Sequence, residues 1–451
     1  MSDFIIKKGF DVNLDGRPAP DVETLTTTGT FAVYPSEFPG IKPRVKVKEG
    51  DRVKRGQILF ENKKDERMVF RSPACGRVAS VRLGARRAPL EIRIEAAENE
   101  ERETLPSHTR ESLSKLSREE TTNLLLAGGL WGLIRQRPFS KVADPDAEPK
   151  AIFVNACNSA PFQADAAVVV AGEEEAFRMG LAALSKLTEG PVHLCRPKNS
   201  ALPAFEEVEN HTFSGPHPSG NASVHVNRIS PILPHDVVYT LRAQDVVLLG
   251  KQLRSGEPPR ETVVALGGPA VKAPFRKHYR VPFGGGLGEL FSRALPEAET
   301  RIVAGHALWG EAVESDACAR AGVSEYTVLE EDRSRHVLGW TTPGANQYSA
   351  HRVTLGALLR NRVPWNLGTN LHGGRRAMVV TGWYDKHQPL NVMTDYLVRA
   401  ILAHDLDEAV KLGLLEVDPE DFALAAFVDP AKTDLCGIVR RGLDELEKEG
   451  I

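Results

Sequence analysis

Residues 41–95, IKPRVKVKEGDRVKRGQILFENKKDERMVFRSPACGRVASVRLGARRAPLEIRIE, admit few folds. Apolar and polar side chains alternate over short runs (Val45, Val47; Ile58, Phe60; Val69, Phe70; Val78, Val81; Ile92, Ile94). Turn-forming residues interrupt these runs at Glu49-Gly50-Asp51, Arg55-Gly56, Ser72-Pro73 and Cys75-Gly76. A period of two buries one face of each strand, and reversals every few residues keep the strands short. The stretch therefore predicts a small all-β barrel or sandwich.

The spacing V-K-E-G-D-x-V-x-x-G-Q-x-L followed by S-P-x-x-G-x-V resembles the half-barrel of biotinyl and lipoyl carrier domains. Its glycines suit turns where φ must be positive, and its Pro-x-x-Gly corner ends one hairpin and opens the next. Such carriers work through one lysine on an exposed hairpin. Here that hairpin reads Lys63-Lys64-Asp65-Glu66-Arg67-Met68, and Glu66 falls where the lysine would stand. The expectation is a structural barrel without a swinging arm; a shift of register would promote Lys63 or Lys64.

The chain has 451 residues, enough for about three domains that each bury a core. Its net charge of −3 does not point to nucleic acid as a partner. Cys75, Cys157, Cys195, Cys318 and Cys436 include no C-x-x-C pair, which reads as reduced cytoplasmic thiols and argues against an iron-sulfur or zinc site. No apolar run approaches the roughly 18 residues that span a bilayer, and the N-terminus lacks the basic start and apolar core of a signal peptide. A chain soluble by itself, or held at a membrane only by partners, is expected.

Five segments follow from the pattern. Residues 1–110 hold an N-terminal stretch with the aromatics Phe31, Tyr34 and Phe38, then the barrel and an acidic linker. Residues 111–149 are a helical linker region, opened by the capping box Ser117-x-x-Glu120 and closed by a Pro- and Asp-rich run. Residues 150–274 alternate strand and helix: the buried run AIFVNA, a helix over about 173–187 with three glutamates in its first turn, then VHLCRP. This βαβ order predicts a helix-covered, partly parallel, Rossmann-like sheet. Residues 275–384 have strand-turn-strand spacing like a β-grasp unit, with a hairpin over 325–340 turning at Asp332-Arg333-Ser334. Residues 385–451 are helical.

Signs of a cofactor are weak. The loop Asn155–Asp165 after the first Rossmann-like strand has no glycine, whereas a dinucleotide fingerprint needs glycines for close approach to pyrophosphate. Gly284-Gly285-Gly286-x-Gly288 precedes a helical run and fits a tight loop better than a phosphate cradle. His211, His217, His225 and His235 are spaced like no ligand set, so no metal is expected; HTFSGPHPSGN (211–221) reads as a loop at a subunit contact or ligand cleft.

Taken together, KKGFDVNLDGRP, PGIKPRVKVKEGDRVKRGQILFENKK, SPACGRVASVRLGARRAPLEIRIE, GLWGLIRQRPFSK, HTFSGPHPSGN, YTLRAQDVVLLGKQL and IVRRGLDELEKEG resemble the A subunit of the bacterial Na+-translocating NADH:quinone oxidoreductase. The likeness runs in order through essentially the whole chain. It implies a peripheral subunit on the cytoplasmic side of a six-subunit inner-membrane complex, with the other subunits as partners. NADH, FAD, FMN, riboflavin, iron-sulfur and ubiquinone chemistry would then belong to those subunits, and this chain would bind no redox cofactor. The resemblance also implies that Asp429 occupies a position often filled by cysteine in relatives.

An association with the quinone end directs attention to flat apolar slots with hydrogen-bond donors. Trp131, Arg135, Arg137 and Phe139 fit best locally, with Phe31, Tyr34 and Phe38 as a second wall. Surface or subunit-contact charges are the plainer role for the arginines. Two other function classes stay open: a carrier modified with biotin or lipoate on the early hairpin, and a soluble flavin- or NADH-binding module.

Overall fold

The computed structural model describes residues 2–26, 29–334, 341–380 and 382–450. Residues 41–96 do form short antiparallel strands. Thr30–Val33, Pro89–Ala96, Gly76–Leu83 and Arg52–Val53 make a four-stranded sheet, and Pro43–Val45, Ile58–Asn62 and Asp65–Arg71 a three-stranded one. The apolar members of the alternation turn inward. Phe60 and Phe70 stack with centroids 4.4 Å apart, Phe38 sits 4.5 Å from Phe70, and Val78, Ile92 and Ile94 are fully buried. Each such side chain contributes about 1.5–3 kcal/mol relative to exposure.

At the early hairpin, Asn62 pairs with Asp65, so the exposed Lys63-Lys64 is the turn itself. Glu66 is not at the tip. It lies on the returning strand, with its carboxylate 2.5 Å from Arg44.

A seven-stranded sheet organises the middle of the molecule. Ser2–Ile5, Glu209–Ser214, Val192–Pro197, Ala151–Asn155 and Val238–Arg242 lie parallel in that order, and Arg135–Arg137 and Lys141–Val142 extend it antiparallel. The run AIFV is apolar throughout because both faces are covered. Ile152 and Val154 face the helices Glu174–Leu184 and Ala243–Ser255, while Ala151 and Phe153 share a core with Leu397, Ile401, Val439 and Leu443 of the C-terminal helices. Thr394–Leu402 and Leu435–Glu449 thus form the second cover of this sheet. The expected capping box holds: the Ser117 side chain accepts from the Glu120 N–H, and helix Arg118–Gly128 ends at Gly129. Within 211–221, residues 211–214 are strand, and the loop begins only at Gly215.

A six-stranded sheet runs Trp309–Val313, Thr300–His306, Glu325–Glu330, Glu261–Gly267, Lys277–Pro282 and Ala19–Thr24. Helix Gly288–Ala294 packs on its core through Leu290 and Phe291. Glu325–Glu330 pairs with Thr300–His306 and Glu261–Gly267, and the second arm of the expected hairpin, residues 335–340, lies outside the described residues. The first 24 residues thus supply edge strands to two sheets whose partners are more than 200 residues away in the chain. No helix among the described residues is long and apolar enough to cross a membrane.

Candidate functional site at the barrel, sheet and helix junction

Strand Arg135–Arg137 crosses the place where the barrel, the parallel sheet and the C-terminal helices meet. Its antiparallel pairing with Val238–Arg242 fixes Arg135 opposite Thr240 and Arg137 opposite Val238. Residues two apart share a face of the strand. Arg135 donates from Nη2 to the Glu37 carbonyl at 2.8 Å, and burial pushes its guanidinium down to about 10. Nearby, Arg242 forks onto Asp245 at 2.6 and 3.0 Å and donates to the Ala321 and Gly322 carbonyls, tying this sheet to the six-stranded one.

Arg137, on the same face, reaches a different partner. Its Nη1 lies 2.9 Å from Asp418 Oδ2, with the two side chains 9% and 15% exposed. The Ser140 hydroxyl donates to the same carboxylate. Burial alone would raise Asp418, but the Arg137 charge and these hydrogen bonds hold it below the ordinary range. Asp421 behaves oppositely: burial, then the neighbouring Asp418 charge, push it up to about 7. It accepts from Asn221 Nδ2 at 2.9 Å and from the Asp418 N–H at 2.7 Å. The two carboxylates therefore differ in charge at mildly acid pH.

The remaining aromatic candidates separate. Trp131 is 1% exposed, donates Nε1–H to the Ala143 carbonyl at 2.8 Å and meets Tyr239 edge-on. Phe139 adopts φ 81°, gives its carbonyl to Arg440 at 2.8 Å and lies beneath the Lys141 ammonium. Tyr34 accepts from the Cys318 N–H at 3.1 Å under the Arg320 guanidinium. Phe31 bridges to Gly285 through its backbone. Of the seven, Phe38 lines an apolar crevice between barrel and sheet, together with Val33, Phe70, Leu130, Leu133 and Phe283. Arg71 and Gln252 supply its polar rim; their donors reach the Ala127 and Gly128 carbonyls, both at 2.6 Å. The cavity measures about 40 Å³.

An open parallel sheet takes ligands beyond the carboxyl ends of its strands. Here that edge is filled by the chain's own loops. Asn155 Nδ2 donates to the Gly220 carbonyl at 2.9 Å, and Ser159 Oγ accepts from the Gly220 N–H at 2.8 Å while lying 3.1 Å from His217 Nδ1. A Cβ at Gly220 would come within 2.6 Å of that hydroxyl. The glycine run at 284–288 is likewise engaged by protein. Ala32 N–H donates to Gly284, and Gly286 N–H donates to Thr30, at 2.8 and 2.9 Å. Gly284 has φ +71°, and a Cβ there would sit 2.9 Å from the Ala32 carbonyl.

Sequence reasoning missed Asp418, Asp421 and Asn221. The first two lie in V-D-P-E-D, which signals only a helix start: Asp418 caps Pro419–Phe422. It also missed the pairing of His211 with His193.

Two family models match the chain: the NqrA N-terminal barrel-sandwich hybrid domain over residues 4–97 and the NqrA second alpha/beta domain over residues 116–258. Among curated relatives, the A subunit of the Na(+)-translocating NADH-quinone reductase of Neisseria meningitidis serogroup C is 38% identical over 99% of both chains. That of Pasteurella multocida is also 38% identical, and that of Yersinia pestis 37%, each again over 99% of both chains. A chain of an NAD+-reducing NiFe-hydrogenase aligns over 49% of each chain with TM-score 0.34 and 15% identity, which carries no argument. An inward-facing barrel, a helix-covered α/β sheet and end-to-end identity above a third lead to one assignment: this chain belongs to the NqrA family, the A subunits of the Na(+)-translocating NADH-quinone reductase.

Proposed function

We propose that the chain is a peripheral, cytoplasmic-side subunit of a six-subunit, Na+-pumping NADH:ubiquinone oxidoreductase. In this reading it serves assembly and borders the quinone end, while NADH, flavin and iron-sulfur chemistry reside on other subunits. The observation that carries it is the filling of both ligand-prone edges by protein: the carboxyl edge of the parallel sheet by Asn155, Ser159 and Gly220, and the glycine run by the strand at 30–33. The folds of a cofactor binder are then kept for their shape and contact surface. The five-part division at 110, 149, 274 and 384, with a Rossmann-like third part and a β-grasp-like fourth, belongs to the same reading.

The quinone-facing candidates remain Trp131, Arg135, Arg137, Phe139, Phe31, Tyr34 and Phe38. Phe38 is favoured because it borders an apolar crevice with Phe70 and Phe283. At about 40 Å³ the crevice is too small for a quinone ring, so access requires the barrel to part from the Gly128-Gly129 helix end. The test is Phe38→Ala in the assembled complex. NADH-driven quinone reduction falls at least about tenfold, the loss of roughly 1.4 kcal/mol of contact, while NADH oxidation by an artificial acceptor continues. Equal loss of both activities, or failure to co-purify with the membrane subunits, refutes the quinone assignment.

One observation favours a second reading: the exposed hairpin tip is Lys63-Lys64, the place where a carrier domain would be modified. Intact-mass measurement separates the two. An added biotinyl or lipoyl mass supports the carrier, and the bare chain mass removes it.

A further inference from the structure

A cluster away from the junction brings together three donors that the sequence disperses. His193 stands near the start of strand Val192–Pro197, and Glu209 and His211 near the start of the parallel neighbour Glu209–Ser214. The register pairs His193 with Glu209 and Cys195 with His211, so both rings project to the same face of the sheet, against Phe153 and Phe4. His193 Nδ1 lies 3.1 Å from His211 Nε2 and 3.2 Å from Glu209 Oε2, and His211 Nε2 lies 3.8 Å from that oxygen.

These separations are those of one coordination sphere. Ligand atoms about 2.0–2.1 Å from a tetrahedral ion stand about 3.3 Å apart, and the observed three bracket that value. The rings are 3% and 6% exposed, whereas the Glu209 side chain is 60% exposed. Two neutral nitrogens are thus presented from a dry floor, one carboxylate closes the outer side, and solvent can reach a fourth position. His211 Nδ1 is buried with no hydrogen-bond partner.

We propose that His193, Glu209 and His211 form a binding site for a divalent transition-metal ion of the zinc class. Two imidazoles and one carboxylate form a borderline set that suits Zn2+ and disfavours Mg2+ and Ca2+, which prefer oxygen. Without an ion, one ring's N–H lies between His193 Nδ1 and His211 Nε2; binding shifts that proton to the other nitrogen of the same ring, so both imidazoles ligate in the neutral form. The site sits at the amino ends of the parallel strands, opposite the edge filled by Asn155 and Ser159. Its role would be structural, clamping two strands beside the N-terminal edge strand Ser2–Ile5.

The experiment uses the full, untagged chain and Zn2+ alone, titrated in competition with a chromophoric chelator. Wild type takes up one more ion per chain than His193→Gln. Glu209→Gln, at an exposed position that leaves the core intact, weakens the same site at least tenfold, since loss of even an outer-shell partner costs about 10–100-fold. Circular dichroism checks that both variants fold, and Co2+ in place of Zn2+ gives a tetrahedral visible band that His193→Gln abolishes. Zn2+ uptake unchanged in stoichiometry and affinity in both variants overturns the proposal. So does a wild-type chain that binds no Zn2+ at micromolar concentration, which would leave the two rings as a hydrogen-bonded pair only.

Discussion

Replacing Arg137 with Met keeps the apolar stem and removes only the charge. In the wild type the guanidinium faces Asp418 at 2.9 Å in a setting 9% and 15% exposed. Breaking a buried pair from one side strands the remaining charge and costs about 3–5 kcal/mol. Residual hydrogen bonds from Ser140 and the Glu420 N–H to Asp418 place the expected value near the lower end, about 3 kcal/mol. Urea denaturation of the isolated chain, followed by tryptophan fluorescence, reads this as a lower midpoint for release of the C-terminal helices. Asp418→Asn in the same background restores part of the loss, giving a coupling of about 2 kcal/mol within the usual 0.5–3 range for residues in contact. The cost also has a pH sign. The Arg137 charge keeps Asp418 ionised, so its contribution is full above the ordinary carboxylate range and is lost as pH falls below that range through the lowered folded value. A coupling below about 0.5 kcal/mol, or a loss that persists unchanged at acid pH, refutes the reasoning.

Asp421, pushed up to about 7 from an ordinary 3.8, binds its proton more tightly in the folded chain, so stability is full below about pH 4 and declines as pH rises toward 7. Asp421→Asn flattens that decline, whose slope reaches about 1.4 kcal/mol per pH unit, in thermal or urea melts at stepped pH; an unchanged slope counts against it. Gly284→Ala meets the Ala32 carbonyl in a left-handed conformation and loosens the barrel from the six-stranded sheet. The cost is about 1–3 kcal/mol, and limited proteolysis shows it as faster cleavage between the two units. Trp131→Phe loses the hydrogen bond to the Ala143 carbonyl and leaves that buried acceptor unpaired, costing about 1–3 kcal/mol in urea melts. In the assembled complex, a selective loss of quinone reduction supports Trp131 at the quinone wall, and an equal change in NADH oxidation by an artificial acceptor counts against it.

Local chemistry made the barrel legible. Its strands lie close in sequence, and every turn but Lys63-Lys64 carries its own Gly or Pro. The capping box at Ser117 and the run AIFV were readable for the same reason: a few consecutive residues contain the whole signal. Glu66 shows the limit, because a two-residue turn at Lys63-Lys64 rather than a longer one moves it from the tip to the strand. Contacts that depend on long-range register left no trace in spacing. His193 and His211 are 18 residues apart with a loop between, and only the parallel pairing of their strands brings their rings together. Arg137 and Asp418 are separated by 281 positions, and neither the arginine-rich turn nor V-D-P-E-D names the other. Sequence favoured Trp131 and Phe139 as a pair because they are close along the chain. In the structure one is sealed in the core and the other receives Arg440.

The opening strand Ser2–Ile5 joins Glu209–Ser214 in parallel. During synthesis Ser2–Ile5 must wait for some 200 more residues before its partner exists, roughly 10–40 s at ordinary elongation rates. The barrel, whose last strand ends at Ala96, is complete for only about the second half of that interval, while Ser2–Ile5 is still unmated. The outer rim of the seven-stranded sheet thus depends on a strand made some 200 residues before its partner, so bulky additions ahead of Ser2 will be felt less by the barrel than by that rim.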